Sequence, residues 1–175
     1  GRIRLEDKLR VAWPDYPNRA VADGVTIAQL LSHTAGLGNH AQGVALTEEG
    51  ARRTQTETLA LFINEPPDAS AGERFAYSND GFIILGALIE KLSGESYFEH
   101  CRRTIFEPLG MRDTLWIAPG DIVGNVAHAY TRDPERPGVW LDAHEIADHG
   151  RAAMRAEMEA LAHDAHMHVI LIDDA

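Results

Sequence analysis

The chain has 175 residues, 45% of them hydrophobic and 25% charged, which places it among globular polypeptides of one domain or part of one. Its 16 basic residues against 27 acidic ones leave a formal net charge of −11, a balance that argues against a nucleic-acid surface and repels acidic substrates at long range. No apolar run is long enough to span a bilayer, and the single cysteine, Cys101, excludes an intramolecular disulfide.

In chain order, Thr26-x-x-Gln29 has the form of a capping box, and with Ile27, Leu30 and Leu31 behind it predicts a short helix ending near a loop at Gly36 and Gly38. Leu59, Phe62 and Ile63 at helical spacing predict a helix over 56–63, which stops before Asn64-Glu65-Pro66-Pro67 because a residue preceding proline disfavours helix. Residues 81–92 are apolar on nearly every side, which predicts a fully buried helix closed by Gly94 in a left-handed conformation. Ser96-x-x-Glu99 caps the next helix, which ends around Pro108-Leu109-Gly110. Residues 131–138 read as a polar loop, 152–165 as a polar-faced helix and 168–174 as a buried strand ending in acids. That last pair echoes the Walker B half of a P-loop ATPase, but no G-x-x-x-x-G-K-[ST] accompanies it.

The most informative feature is Tyr77-Ser78-Asn79, set between Ala71-Gly72-Glu73-Arg74-Phe75 and the start of the apolar helix. A polar triplet on such a seam can project a phenol and an amide into a cleft from a rigid base. The competing reading for Tyr77 is a half-buried tyrosine at a helix start, and for Ser78 a helix cap. His163-Asp164-Ala165-His166-Met167-His168 places three imidazoles close in sequence, but solvated histidines at a helix end account for them, and no metal is expected.

With its flanks the triplet resembles the second motif of serine β-lactamase-like hydrolases: class C β-lactamases, DD-peptidases and related esterases. Three further ordered blocks resemble the same family. Gly1-Arg2-Ile3-Arg4-Leu5-Glu6-Asp7 is similar to its G-K-L-x-L-D-D stretch, and Thr26-Ile27-Ala28-Gln29-Leu30-Leu31-Ser32-His33-Thr34-Ala35-Gly36-Leu37 to its T-I-R-x-L-L-x-H-T-S-G-L signature. Phe106-Glu107-Pro108-Leu109-Gly110-Met111-Arg112-Asp113-Thr114 is similar to F-x-P-L-G-M-x-D-T. The resemblance implies an α/β, β-lactamase/transpeptidase-like fold, here a partial domain dominated by its helical region, over residues 1–140. Residues 141–175 are then a diverged or unrelated helix-strand tail.

The same resemblance implies a catalytic Tyr77 that relays protons to and from a nucleophilic serine, and a catalytic Asn79 that bonds the activating lysine and the substrate's amide or ester oxygen. It assigns Ser78 to substrate binding and His33 to the cleft wall. The implied substrate is a small ester, β-lactam or peptide, hydrolysed through an acyl-enzyme without a cofactor. The nucleophile motif S-x-x-K is absent: the only lysines are Lys8 and Lys91, and Leu5 and Leu88 stand three residues before them. In the family that motif precedes the G-K-L-x-L stretch, so an N-terminally truncated piece, inactive alone, is expected; a non-catalytic binding or vestigial module on the same scaffold is the alternative. The third motif, a Lys or His two residues before a Gly on the strand beside the nucleophile, has only a distant echo in His149-Gly150.

Overall fold

The structure is a computed structural model that describes residues 3–41, 48–118, 121–124, 126, 130–133, 136 and 138–142. The chain divides into two compact units, Gly1–Asp121 and Ile122–Ala175. The predicted helix over 152–165, the strand over 168–174, His149-Gly150 and the histidines from His163 to His168 lie outside the described residues.

The first unit is helical. Short helices α1 (Leu9–Ala12), α2 (Arg19–Gly24) and α3 (Ile27–Leu31) are followed by α4 (Glu48–Ala51), α5 (Gln55–Leu59), the long α6 (Asn79–Ser93) and α7 (Tyr97–Cys101), which runs on into a π-helical turn at Arg102–Phe106. One apolar core joins α1, α2, α3, α5 and α6, built from Leu9, Val21, Val25, Ile27, Leu30, Leu59, Phe62, Ile84, Ala87 and Leu88. Helices this short are marginal on their own, so their stability comes from packing, α3, α5 and α7 against α6 and α1 against α2, with side-chain caps at the starts of α2, α3, α5 and α7. The expected capping box of α3 is present: the Thr26 side chain accepts from the Gln29 N–H while Gln29 accepts from the Thr26 N–H. A second box, Thr54 with Glu57, starts α5 before the expected position, and that helix closes at Leu59 into successive turns.

Helix α6 ends as expected, with Gly94 left-handed at φ 79°. It is not buried all round, however: Phe82 and Leu92 are about half exposed. Near its C-terminal end the buried Glu90 carboxylate accepts from the Gln55 and Thr56 N–H groups, the Thr56 hydroxyl and the Tyr97 N–H, joining the first turns of α5 and α7 to α6. Four donors, three of them at helix starts where backbone N–H groups lack partners, explain why a charge is tolerated in this apolar setting. Beyond it, Tyr97, Phe98 and Phe106 pack around Trp116 with ring centroids 4.8–5.9 Å apart.

In the second unit, β1 (Tyr130–Arg132) pairs antiparallel with β2 (Trp140–Asp142), Thr131 opposite Leu141. The strand thus takes in residues that the polar loop over 131–138 was expected to contain, and the turn narrows to the segment after Arg132. The Arg132 guanidinium lies 5.5 Å from the Trp140 ring centroid, a cation–π contact across the pair.

Candidate active site

The loop leaving α3 carries the site's foundation. His33 has φ 56° and Gly36 φ 72°, so the chain reverses sharply after the helix. A Cβ on Gly36 would run into the backbone carbonyl oxygen of Ala69, which makes glycine a packing requirement as well as a conformational one. The reversal brings 33–36 alongside 68–76: the Gly36 carbonyl accepts from the Asp68 and Ala69 N–H groups, Thr34 from Gly72 and His33 from Ala76. This stitching delivers residues 77–80 to the start of α6 in a fixed position.

At that start Ser78 is the N-cap. Its hydroxyl oxygen accepts from the Gly81 N–H at 3.3 Å and its proton goes to the Gly38 carbonyl at 2.6 Å. Ser78 is 3% exposed. Its N–H donates to His33 Nδ1 at 3.2 Å, which places the imidazole lone pair on that nitrogen. The expectation that Ser78 binds substrate therefore meets a different geometry: the hydroxyl is enclosed and committed to the cap, the competing reading drawn from the residue's place at a helix start.

Tyr77 and Asn79 lie on either side of this buried serine and face outward together. The Tyr77 hydroxyl donates to Asn79 Oδ1 at 3.0 Å, and the tyrosine is 45% exposed. No hydrogen bond of Asn79 Nδ2 occurs among the described residues, so the amide retains donors for a ligand. The His33 ring underlies the pair, with its centroid 4.7 Å from that of Tyr77, 5.0 Å from Phe82 and 5.7 Å from Phe75. His33 thus packs beneath the phenol, against three aromatic rings.

Residues 38–41, which sequence reasoning missed, hydrogen-bond to residues 77–80 from the side. Asn39 bridges the triplet: its Nδ2 donates to the Tyr77 carbonyl at 3.1 Å and its Oδ1 accepts from the Asn79 N–H at 2.6 Å. Beside it the buried Asp80 accepts from the His40 N–H at 3.0 Å, from His40 Nδ1 at 2.8 Å and from the Ala41 N–H at 3.1 Å. The hydrogen bond that His40 makes to Asp80 raises its pKa above the ordinary 6.5, against a smaller opposing effect of burial, with the charges of Asp80, Glu65 and Asp68 adding to the rise. Burial and the Asp80 charge together push the Tyr16 phenol well above its ordinary value.

Both lysines are engaged elsewhere. Lys8 Nζ donates to the Gly24 carbonyl at 2.6 Å, while Lys91 Nζ pairs with Asp15 at 3.1 Å and lies over the Trp13 ring. Among the described residues no group of three or more His, Cys, Asp or Glu side chains is placed to hold a metal ion, and no helix is long and apolar enough to cross a membrane.

A helical region organised around one long helix, with an outward phenol and amide at its start, defines the class as the helical part of a β-lactamase/transpeptidase-like domain. The family model described as Beta-lactamase matches residues 1–169, past the point near 141 where the motif likeness fades, and the chain belongs to that family of serine hydrolases. Penicillin-binding protein 4* of Bacillus subtilis is 32% identical over 123 residues, covering 65% of this chain and 25% of that protein. Among solved structures, the penicillin-binding protein from Bacillus halodurans is similar with a TM-score of 0.60 and 26% identity, covering 84% of this chain and 45% of that one. The D-amino acid amidase from Ochrobactrum anthropi SV3, solved with D-phenylalanine, is similar with a TM-score of 0.58 and 25% identity, covering 77% and 37%. The chain thus spans from a quarter to under half the length of these relatives.

Proposed function

We propose that Tyr77 and Asn79 form the proton-relay and amide elements of an acyl-enzyme-forming serine hydrolase acting on β-lactam, peptide or small ester carbonyls. The serine and lysine of S-x-x-K, absent from the 175 residues, complete the machinery. The observation that carries the reading is the 3.0 Å hydrogen bond from the Tyr77 hydroxyl to Asn79 Oδ1 on an exposed face. That bond fixes the phenol and the amide relative to each other; the phenolic oxygen can then exchange a proton with a serine brought beside it, and the Nδ2 protons of the amide suit a substrate carbonyl. Ser78 supports the pair from beneath as the helix cap. The chain by itself hydrolyses neither nitrocefin nor p-nitrophenyl esters, since acid–base groups without a nucleophile leave little beyond binding.

The test is Tyr77→Phe in a protein that carries S-x-x-K ahead of these residues. Loss of the hydroxyl with the ring retained is expected to lower kcat/KM by ~10²–10⁴-fold. Retention of more than about a third of the wild-type value would contradict the assignment. The alternative is a non-catalytic binding module on the same scaffold. It predicts that β-lactams or D-amino-acid peptides bind without turnover even when the serine and lysine are supplied.

A further inference from the structure

Residues 38–41 and 77–80 are joined by six side-chain hydrogen bonds, and the only titratable groups in that lattice are His40 and Asp80. We propose that Asn39 is a positioning residue for the Tyr77–Asn79 pair, and that the His40–Asp80 contact sets the position of Asn39, so that the geometry of the pair responds to proton binding at His40. The inference rests on the reading of Tyr77 and Asn79 as the reactive pair.

Asn39 touches the backbone on both sides of Ser78, at the Tyr77 carbonyl and the Asn79 N–H, and so spans the residues whose side chains carry the proposed chemistry. Displacing Asn39 removes the acceptor of the Asn79 N–H, and that displacement rotates the Asn79 side chain against the Tyr77 hydroxyl. What keeps Asn39 in place is the next residue. Asp80 holds His40 by both its backbone N–H and its ring, and Ala41 by its N–H, so the segment is pinned directly beside Asn39.

The pin is asymmetric in its exposure. The Asp80 side chain is 2% exposed while that of His40 is 35% exposed, so protons reach the imidazole without unfolding. The groups facing His40 are Asp80 from α6 and Glu65 and Asp68 from the segment between α5 and α6, all acidic, with the Tyr16 hydroxyl beside Asp80. The Phe62 ring stacks against the imidazole at 6.3 Å. When His40 is protonated, Nδ1–H donates to a carboxylate as one half of an ion pair. When it is neutral, the ionic part of the contact is gone, and what is left is the weaker neutral hydrogen bond from Nδ1–H to the carboxylate.

The sign follows from the raised pKa. The ionic contact is complete below His40's ordinary value of 6.5 and is lost as pH rises through its higher folded value. The Tyr77–Asn79 pair is therefore best held on the acid side of that transition.

The experiment is a pH titration of the 175-residue chain by amide and imidazole NMR from about pH 5 to 9, the range in which a histidine changes charge. The Asn79 backbone amide and the Asn39 side-chain amide are expected to shift with the same midpoint as the His40 ring, above 6.5. In Asp80→Asn the His40 midpoint should fall and the Asn79 response should disappear. Should Asp80→Asn fail to fold, His40→Gln serves instead: it leaves the His40 and Ala41 N–H groups on Asp80 and should keep the fold while flattening the Asn79 titration. An Asn79 amide that stays flat through the His40 midpoint, or that titrates unchanged in His40→Gln, overturns the inference. These signals need no substrate, so the outcome is separable from the catalytic reading: loss of rate in Tyr77→Phe with a flat Asn79 titration removes only the positioning role.

Discussion

The two ends of α6 use one device to different effect. Each carries a buried carboxylate that gathers N–H groups from other parts of the chain: Asp80, 1% exposed, holds residues 40 and 41, and Glu90, 9% exposed, holds the first turns of α5 and α7. The partners make the difference. Glu90 faces only backbone groups and a threonine hydroxyl, so it acts as a fixed peg. Asp80 faces an imidazole and lies next to the Tyr77–Asn79 pair. Burial opposes ionisation of Glu90, but the bonds from Thr56, Tyr97 and Gln55 outweigh it and hold its carboxyl below the usual value. Only the Asp80 end thus meets a second titratable group.

The largest effect on stability is expected at the fixed end. Glu90→Ala deprives four donors of a charged acceptor; each orphaned donor costs ~1–3 kcal/mol, part of it recovered from water, so a loss of about 3–5 kcal/mol in denaturant unfolding should follow. Unchanged unfolding would mean that α5 and α7 are held by packing alone. Next comes Gly36→Ala, where a left-handed backbone costs ~1–2 kcal/mol and the collision with Ala69 adds a similar amount. Thermal melts of Gly36→Ala beside Gly94→Ala separate the two contributions, since Gly94 is left-handed with open space around it and should show the conformational cost alone.

The contrast in pH dependence is smaller and has opposite signs. The Glu90 pKa is lowered, so its contribution is present above its ordinary 4.5 and lost as pH falls through the lower folded value. The His40 pKa is raised, so its contribution is lost as pH rises. The Tm difference between wild type and Glu90→Gln should therefore shrink in acid, and that between wild type and His40→Gln should shrink in alkali. Differences that move in the same direction would break the comparison. The smallest effect is expected at Glu95, held down to about 2 by Arg103 and then by His100. This is an exposed ion pair, and Glu95→Gln should move Tm by less than about 2 °C.

The parts of this account legible in the sequence are those encoded over a few residues. The Thr26 capping box, the Ser96 cap, the Gly94 stop and the Tyr77-Ser78-Asn79 motif each lie within one turn of chain, where side-chain type and spacing decide the outcome. What escaped depends on contacts made far along the chain. Asn39 and His40 meet Asn79 and Asp80 across 40 residues, and nothing in Gly38-Asn39-His40 marks them as partners of the triplet. The uneven burial of α6 escaped for a related reason: Phe82 and Leu92 read as core by composition, but burial depends on what covers a face. Strand β1 was hidden because Thr131 and Arg132 are polar, and their pairing is set by Leu141 and Trp140 across the turn.

The most direct test of the account compares the two ends of α6 in one experiment, with kcat/KM and Tm measured for Tyr77→Phe and Glu90→Gln in a protein bearing S-x-x-K. Opposite patterns are expected: Tyr77→Phe keeps its Tm and loses ~10²–10⁴-fold in kcat/KM, while Glu90→Gln loses Tm and keeps near-normal kcat/KM below its transition. A Tyr77→Phe variant that melts early while retaining more than about a third of its kcat/KM would contradict it, and would make the start of α6 scaffold like the other end.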